Sequence, residues 1–313
     1  MQKTENRGKK VNQDFFNQLC SIAGSDNTYT DEPMKKHTTF RIGGPADYFV
    51  TPHSKEEIVQ LIQTCRREHK PFYILGNGSN LLVGDRGYRG VIIQIFKNFN
   101  DIVTEETLIT AKAGALLSKI AKKAMERGLT GFEFASGIPG TLGGAAVMNA
   151  GAYGGEMKDV MEEVTALDSE GNILILQKEE LKMGYRTSAV AQKGYIVLEA
   201  KLRLRNGSRE QVSQRMEELK KQRTTKQPLE FPSAGSTFKR PQGHFAGKLI
   251  MDAGLQGFRV GGAQVSEKHC GFVINTGDAT AQDVRTLMQN VTERVEEKFG
   301  VVLEPEVKML GEF

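Results

Sequence analysis

The 313-residue sequence has only three cysteines, Cys20, Cys65 and Cys270, far apart and with no CxxC pair. This usage suits free thiols in a reducing compartment. No run reaches the roughly 18 apolar residues that a membrane-spanning helix needs. The opening MQKTENRGKK leads into no apolar segment of the secretory kind. The expectation is a cytoplasmic protein with no membrane partner. Net charge is only +4, which argues against a nucleic-acid partner and suits a local pocket for an anionic small molecule. His269 and Cys270 stand at no metal-ligand spacing from any other His or Cys, so no metal site is expected. Low-complexity tracts are absent, and 39% apolar with 26% charged residues is ordinary for a globular chain long enough for two cores.

What the chain has in excess is glycine, 34 residues, clustered rather than spread. Clustering points to shaped loops, because glycine lets backbone approach a neighbour closely. Residues 138–156 read IPGTLGGAAVMNAGAYGGE, with six glycines in nineteen residues and no charge from Phe134 to Gly155. Pro139 fixes one bend, Gly140, Gly143 and Gly144 bring backbone close to whatever lies beside them, and Asn149 offers a directional amide. A second cluster, Gly76-Asn77-Gly78-Ser79-Asn80, follows a strand pattern, where successive N–H groups can form an anion-binding nest. A plain tight turn is the alternative for the second cluster, and tight helix packing for the first. Two such loops together favour a dinucleotide-sized site. Leu81 breaks the G-x-G-x-x-G pattern, so a Rossmann fold is not supported. GHFAGKL at 243–249 is one residue short of a P-loop and lacks Ser or Thr after Lys248.

Periodicity outlines the rest. Residues 1–35 read as a polar arm with a short amphipathic helix around Phe15, Phe16 and Leu19. A strand at 46–50, a capping box at Ser54–Glu57, a helix on Ile58, Leu61, Ile62 and Cys65, and a strand at 72–75 form a β-α-β unit. Further strands are expected at 91–95, 108–113, 164–168, 173–176 and 195–204, and a helix on Leu117, Ile120, Ala121, Ala124 and Met125 closed by Gly128. Asn206-Gly207 is a turn, and a polar helix from Ser208 to Arg223 follows. Helices at 246–253 and 280–299, a strand at 271–275 and a terminal strand at 301–309 complete an α/β pattern. The chain divides into an arm (1–35), one domain (36–205) and a smaller second domain (206–313) whose last strand returns to the active site.

The motifs in order resemble the UDP-N-acetylenolpyruvoylglucosamine reductase (MurB) family, flavoenzymes of bacterial cell-wall precursor synthesis. The matching pieces are TTFRIGG at 38–44, LGNGSNL at 75–81, IPGTLGG at 138–144 with NAGAYG at 149–154, GYRTS at 184–188, AGSTFK at 234–239 and LEPEV at 303–307. The first three groups would suit many FAD enzymes; the last three single out this reductase. The resemblance implies an α+β fold: a MurB/vanillyl-alcohol-oxidase-type FAD-binding domain of two α/β subdomains, plus a smaller C-terminal α/β substrate domain. FAD would lie on Gly76, Asn77, Gly78, Ser79, Asn80, Gly137, Ile138, Pro139, Gly140, Thr141, Gly143, Gly144, Asn149 and Gly151. NADPH would be the hydride donor and a UDP-sugar enolpyruvate the substrate of a monomeric enzyme.

Hydride addition to an enolpyruvyl double bond leaves carbanion character beside a carboxylate, which needs an electrostatic partner and a proton. By resemblance Ser236 donates the proton, Arg186 pairs with the substrate carboxylate, and Glu306 completes the stabilisation. Tyr185, Arg223, Lys226, Gly235 and Lys239 are the implied substrate-binding residues, with Arg223 and Lys226 on the diphosphate. Each has a plainer alternative: a surface ion pair for Arg186, a turn residue for Ser236, a strand-edge carboxylate for Glu306, a solvated helix end for Arg223 and Lys226. Two departures stand out. Only Arg205-Asn206-Gly207 separates the long strand from the next helix, where some members insert a loop with a tyrosine that closes over substrate. Gly271 stands where Asn is expected. A different FAD oxidoreductase of the same fold, such as an oxidase of small alcohols, and a non-catalytic nucleotide-binding module remain the other readings.

Overall fold

The computed structural model describes residues 12–313. The no-signal reading of MQKTENRGKK and the start of the arm lie outside them. Within the arm, Gln13–Ala23 is the expected amphipathic helix, burying Phe15, Leu19 and Ala23. The rest of that segment differs from the reading: Thr28–Pro33 is an edge strand antiparallel to Pro45–Val50. Its TYTDEP sequence buries only Thr28 fully and carries no apolar alternation, so sequence pattern could not reveal it.

The first sheet runs in the order Thr28–Pro33, Pro45–Val50, Tyr88–Gln94, Phe72–Leu75. The β-α-β unit is present, but its two strands both pair in parallel with Tyr88–Gln94, which lies between them. That central strand is buried from Gly90 to Gln94, as a strand covered on both faces must be. Ser54 caps the crossover helix by accepting from the Glu57 N–H. The reciprocal bond of a capping box is replaced: Glu57 Oε2 accepts from His53 N–H at 2.8 Å instead.

A second, fully antiparallel sheet orders Ile173–Gln177, Met161–Leu167, Ile196–Arg203, Leu108–Lys112 and Ile102–Glu105. Its inner face and the Leu117–Glu126 helix share one large core with the crossover helix. The helix Arg209–Lys226, assigned by pattern to the second domain, leans Met216 on this core. Its approach is set by the short connection, where Arg205–Asn206 pairs with Leu129–Thr130 and Gly207 N–H donates to Gly128 O at 2.7 Å.

The third sheet orders Ser233–Ser236, Phe272–Asn275, Ala263–Val265 and Arg259–Val260, backed by the helices Ala246–Asp252 and Ala281–Phe299. Phe40, Ile42 and Leu82 from the first part of the chain enter this core. The terminal strand is shorter than expected: only Lys308–Leu310 is ladder-paired, in parallel with Leu81–Val83. Pro305, which has no N–H to give, interrupts the run. Cys20, Cys65 and Cys270 are free thiols, and no described helix is long and apolar enough to cross a membrane.

Asp85, in the turn after Leu81–Val83, accepts from the N–H groups of Ala281 and Gln282 at 2.8 and 3.0 Å, a cap given by one part of the chain to a helix of another. Helix N–H groups otherwise left without partners favour such a carboxylate. Asp85→Ala is expected to cost about 1 kcal/mol, read as a lowered urea midpoint without loss of helix content.

Candidate active site

The two glycine clusters face each other. Asn77 Nδ2 donates to Pro139 O at 2.7 Å, a side chain at Gly76 would meet Thr141 Oγ1 at 2.5 Å, and one at Gly140 would approach Ser79 Oγ. Gly78 has φ +62° and sits so close to His37 O that a Cβ would lie 2.0 Å from it. Glycine is therefore required there on both counts. Among the described residues, the N–H groups of Asn77, Gly78, Ser79 and Asn80 donate to no protein atom. Across from them Gly144 is exposed on the Leu142–Met148 helix, while Gly143 packs against Ala113. Free N–H donors on one wall and bare backbone on the other fit a diphosphate joined to a flat ring.

Ile138 and Pro139 carry this wall's bend, with Ile138 half-buried against the large core. Gly137, at its start, lies under the Arg223 side chain, with Arg223 Cδ 3.1 Å from where a Cβ would stand. Arg223 has no hydrogen-bond or ion-pair partner among the described residues, and burial pushes its guanidinium pKa down. It therefore stands beside the glycine cradle, outside the lining of the Arg186 cleft.

Asn149 also differs from expectation. Its side chain is fully buried, and all of its capacity is internal: Nδ2 donates to Glu156 Oε2 at 2.6 Å and Gly184 O at 3.0 Å, and Oδ1 accepts from Lys158 N–H at 2.9 Å. No amide proton is left for a cofactor. Gly151 pairs in a short hairpin with Gly155–Glu156, and a side chain on it would strike Gly155 O. Asn149 holds the GYRTS hairpin through its bond to Gly184 O. Ser188 Oγ donates to Val147 O at 2.7 Å while accepting from Ala191 N–H, so both ends of the hairpin are tied to the glycine-rich helix.

At the hairpin tip Arg186 adopts φ +54°, a conformation that costs a non-glycine residue about 1 kcal/mol or more. Gly184 and Thr187 bridge beneath it. Its Nε donates to Glu306 Oε1 at 2.7 Å, and its guanidinium sits 5.1 Å from the Tyr185 ring centre. The terminal Nη groups have no partner among the described residues, which leaves a fork for a carboxylate.

Glu306 and Ser236 are brought together by strand-like pairing. Glu306 N–H donates to Thr237 O, Lys239 N–H donates to Glu304 O, both at 2.8 Å, and Phe238 bridges Pro305. Ser236 and Phe272 are paired, yet Ser233 pairs with Ile274, so the strand carries a bulge, and Gly235 in it has φ +78°. A bulge of this kind re-aims the next side chain. Ser236 is exposed, and its hydroxyl makes no hydrogen bond within the described residues. Asn80 Nδ2 donates to Glu306 O at 3.1 Å, joining the nest to the carboxylate.

Arg186, Ser236, Glu306 and Tyr185 line one cleft of about 450 Å³. Lys239 does not: it turns outward to Glu304, 2.8 Å away. Lys226 is exposed at a helix end outside the cleft. Sequence reading missed Arg240, Phe245, Lys248, Gln256, Lys268 and His269, which also line the cleft. Of these, Phe245 and Lys248 lie in the GHFAGKL segment discarded as a P-loop, and His269 in the stretch weighed only for a metal. At Gly271 a side chain would lie 2.9 Å from the His269 ring, whose Nδ1 accepts the Gly271 N–H, so the expected Asn would need that imidazole to move. Among the described residues no three His, Cys, Asp or Glu could hold a metal ion.

Burial raises the Glu306 pKa above the ordinary 4.5, and Arg186 offsets only part of that. A carboxyl whose folded pKa lies above its unfolded one contributes stability fully below the unfolded value and loses it as pH rises through the folded value. The stability difference between wild type and Glu306→Gln, from urea midpoints, is expected to fall as pH rises above 4.5; a rise would mean that the ion pair outweighs burial. Asn149→Ala is expected to keep bound flavin yet cut turnover about 100-fold, the cost of a misplaced reacting group. The checks are the visible spectrum and kcat.

Comparison with known proteins identifies the domains and the family. Residues 46–177 match the model described as FAD binding domain, and residues 227–310 match UDP-N-acetylenolpyruvoylglucosamine reductase, C-terminal domain. The UDP-N-acetylenolpyruvoylglucosamine reductase of Caldanaerobacter subterraneus is 55% identical over 298 residues, 95% of this chain and 98% of the relative. That of Clostridioides difficile is 52% identical over 96% of this chain and 99% of its own. The crystal structure of the Thermus caldophilus reductase superposes with a TM-score of 0.77 at 37% identity, covering 89% of this chain and 97% of that one.

Proposed function

The chain belongs to the UDP-N-acetylenolpyruvoylglucosamine reductase family, and we propose the division of labour by which its residues carry out that reaction. It is an FAD-containing oxidoreductase of peptidoglycan precursor synthesis that makes UDP-N-acetylmuramate from UDP-N-acetylglucosamine enolpyruvate. Bound FAD would supply the hydride relay from NADPH to the enolpyruvyl double bond. The N–H groups of Asn77, Gly78, Ser79 and Asn80 would hold the FAD diphosphate, with Gly140, Thr141 and Gly144 forming the opposite wall and Arg223 supplying a cation at Gly137.

Arg186 binds the substrate carboxylate through its free Nη fork, held in orientation by the Nε bond to Glu306. As carbanion character develops beside that carboxylate, the guanidinium stabilises the enolate form. Ser236 delivers the proton. A hydroxyl is a weak acid, so it serves only against a strongly basic carbon in a cleft that the substrate has cleared of water. Glu306, its charge disfavoured by burial, supports the pair from behind Arg186. The observation that carries this reading is the convergence of Arg186, Ser236 and Glu306, far apart in sequence, on one cleft beside the glycine cradle. We place the enzyme in the cytoplasm as a monomer with no nucleic-acid partner.

An anaerobic visible spectrum tests the reading. The flavin band should bleach with NADPH and return on adding the enolpyruvyl substrate. In Ser236→Ala, bleaching should keep its rate while the return slows by about 10²–10⁴-fold, the usual worth of a proton donor. Equal slowing of both phases would remove Ser236 from that role.

A further inference from the structure

The cleft continues past the reacting groups to a strap, residues 240–245, that links the Arg186 hairpin to the Ala246–Asp252 helix. Arg240 N–H donates to Tyr185 Oη at 2.9 Å at one end. At the other, Phe245 O accepts from Lys248 N–H and Leu249 N–H at 3.0 and 3.1 Å, so the Phe245 backbone is fixed by the helix start. Between them His244 N–H closes a turn onto Pro241 O. Gly247, just beyond, packs against Gly271 with no room to spare.

This rigid base carries a ring that belongs in no core. Phe245 is 60% exposed, yet it lines the same cleft as Ser236 and Arg186. The Arg240 guanidinium lies 4.0 Å from its ring centre, a stacking contact that favours one orientation of the ring. An aromatic face kept wet and pre-oriented beside a reaction site is suited to a flat, π-bearing ligand group. Phe238, by contrast, is buried, and Tyr185 is occupied by Arg186 and Arg240. The short connection at 205–207, tied to Gly128 and Thr130, contributes nothing to the cleft.

We propose that Phe245, steadied by Arg240, is the platform on which the uracil ring of the substrate stacks. The inference rests on the reductase reading, which supplies a substrate whose one aromatic group is that base. Stacking on an aromatic side chain is insensitive to what the phosphates do. The base contribution can therefore be separated from the diphosphate contribution.

The test is calorimetric titration of the holoenzyme with UDP and with inorganic pyrophosphate. Phe245→Ala should weaken UDP about 10-fold or more, leave pyrophosphate unchanged, and raise the KM for the enolpyruvyl substrate with kcat nearly constant. Phe245→Trp should restore UDP affinity. Equal UDP affinity in wild type and Phe245→Ala overturns the proposal, as does an equal loss for pyrophosphate or a wild type that binds no UDP. Failure of the reductase reading would appear elsewhere, as a wild-type flavin that NADPH bleaches and the substrate does not restore.

Discussion

The three-residue parallel pairing of Lys308–Leu310 with Leu81–Val83 is the contact on which the active site depends. Leu81 directly follows the Gly76–Asn80 nest, so a strand docked there brings the residues before it to the nest. Lys308 N–H reaches Asn80 O, and Asn80 Nδ2 reaches Glu306 O. Glu306 is thereby fixed beside the Gly76–Asn80 loop, although 226 positions separate it from Asn80. The same segment pairs with Thr237 and Lys239 and sets Ser236 next to Glu306. One short ladder thus carries Glu306 and Ser236, two of the three groups proposed to act on the substrate, to the side of the Gly76–Asn80 loop.

Buried amides fasten the remaining pieces. Asn149 joins the glycine-rich helix to the Arg186 hairpin. Asn275 donates to Phe40 O and accepts from Gly277 and Ala279, joining the third sheet to the TTFRIGG segment. Thr39 Oγ1 donates to Ser233 O and Thr39 N–H to Gly78 O, so that segment touches the nest and the Ser236 strand together. A buried amide with every group satisfied fixes geometry, because any displacement leaves a polar atom unpaired at a cost of about 1–3 kcal/mol. The positions of Arg186 and Ser236 are defined by such bonds more than by apolar packing.

Helices with strong periodicity were legible: Gln13–Ala23, Lys55–Arg67, Leu117–Glu126 and Ala281–Phe299 appear where the apolar spacing puts them. Their caps were less so. The Ser54 box is half replaced through His53, and the capping boxes at Glu156 and Asp159 and at Thr280 and Asp283 were unread. The edge strand Thr28–Pro33 escaped because an edge strand need bury little. The surroundings of Asn149, Lys239 and Arg223 were not legible for one shared reason. A side chain's residue type states what it can bond, but not which of several partners stands nearest once the chain has folded.

By itself the sequence determined the elements, the need for two close-approach backbone loops, and the family, since motif order is preserved whatever the conformation. Local chemistry suffices for these: glycine where φ is positive or a neighbour too close, alternation where a sheet is half-buried. Tertiary structure alone decided which groups meet. The Nε of Arg186 is held by Glu306, Asn149 is withdrawn into the scaffold, and Phe245 is left bare over the cleft. Those outcomes depend on distances of a few ångströms between residues tens to hundreds of positions apart, which only long-range pairing can set.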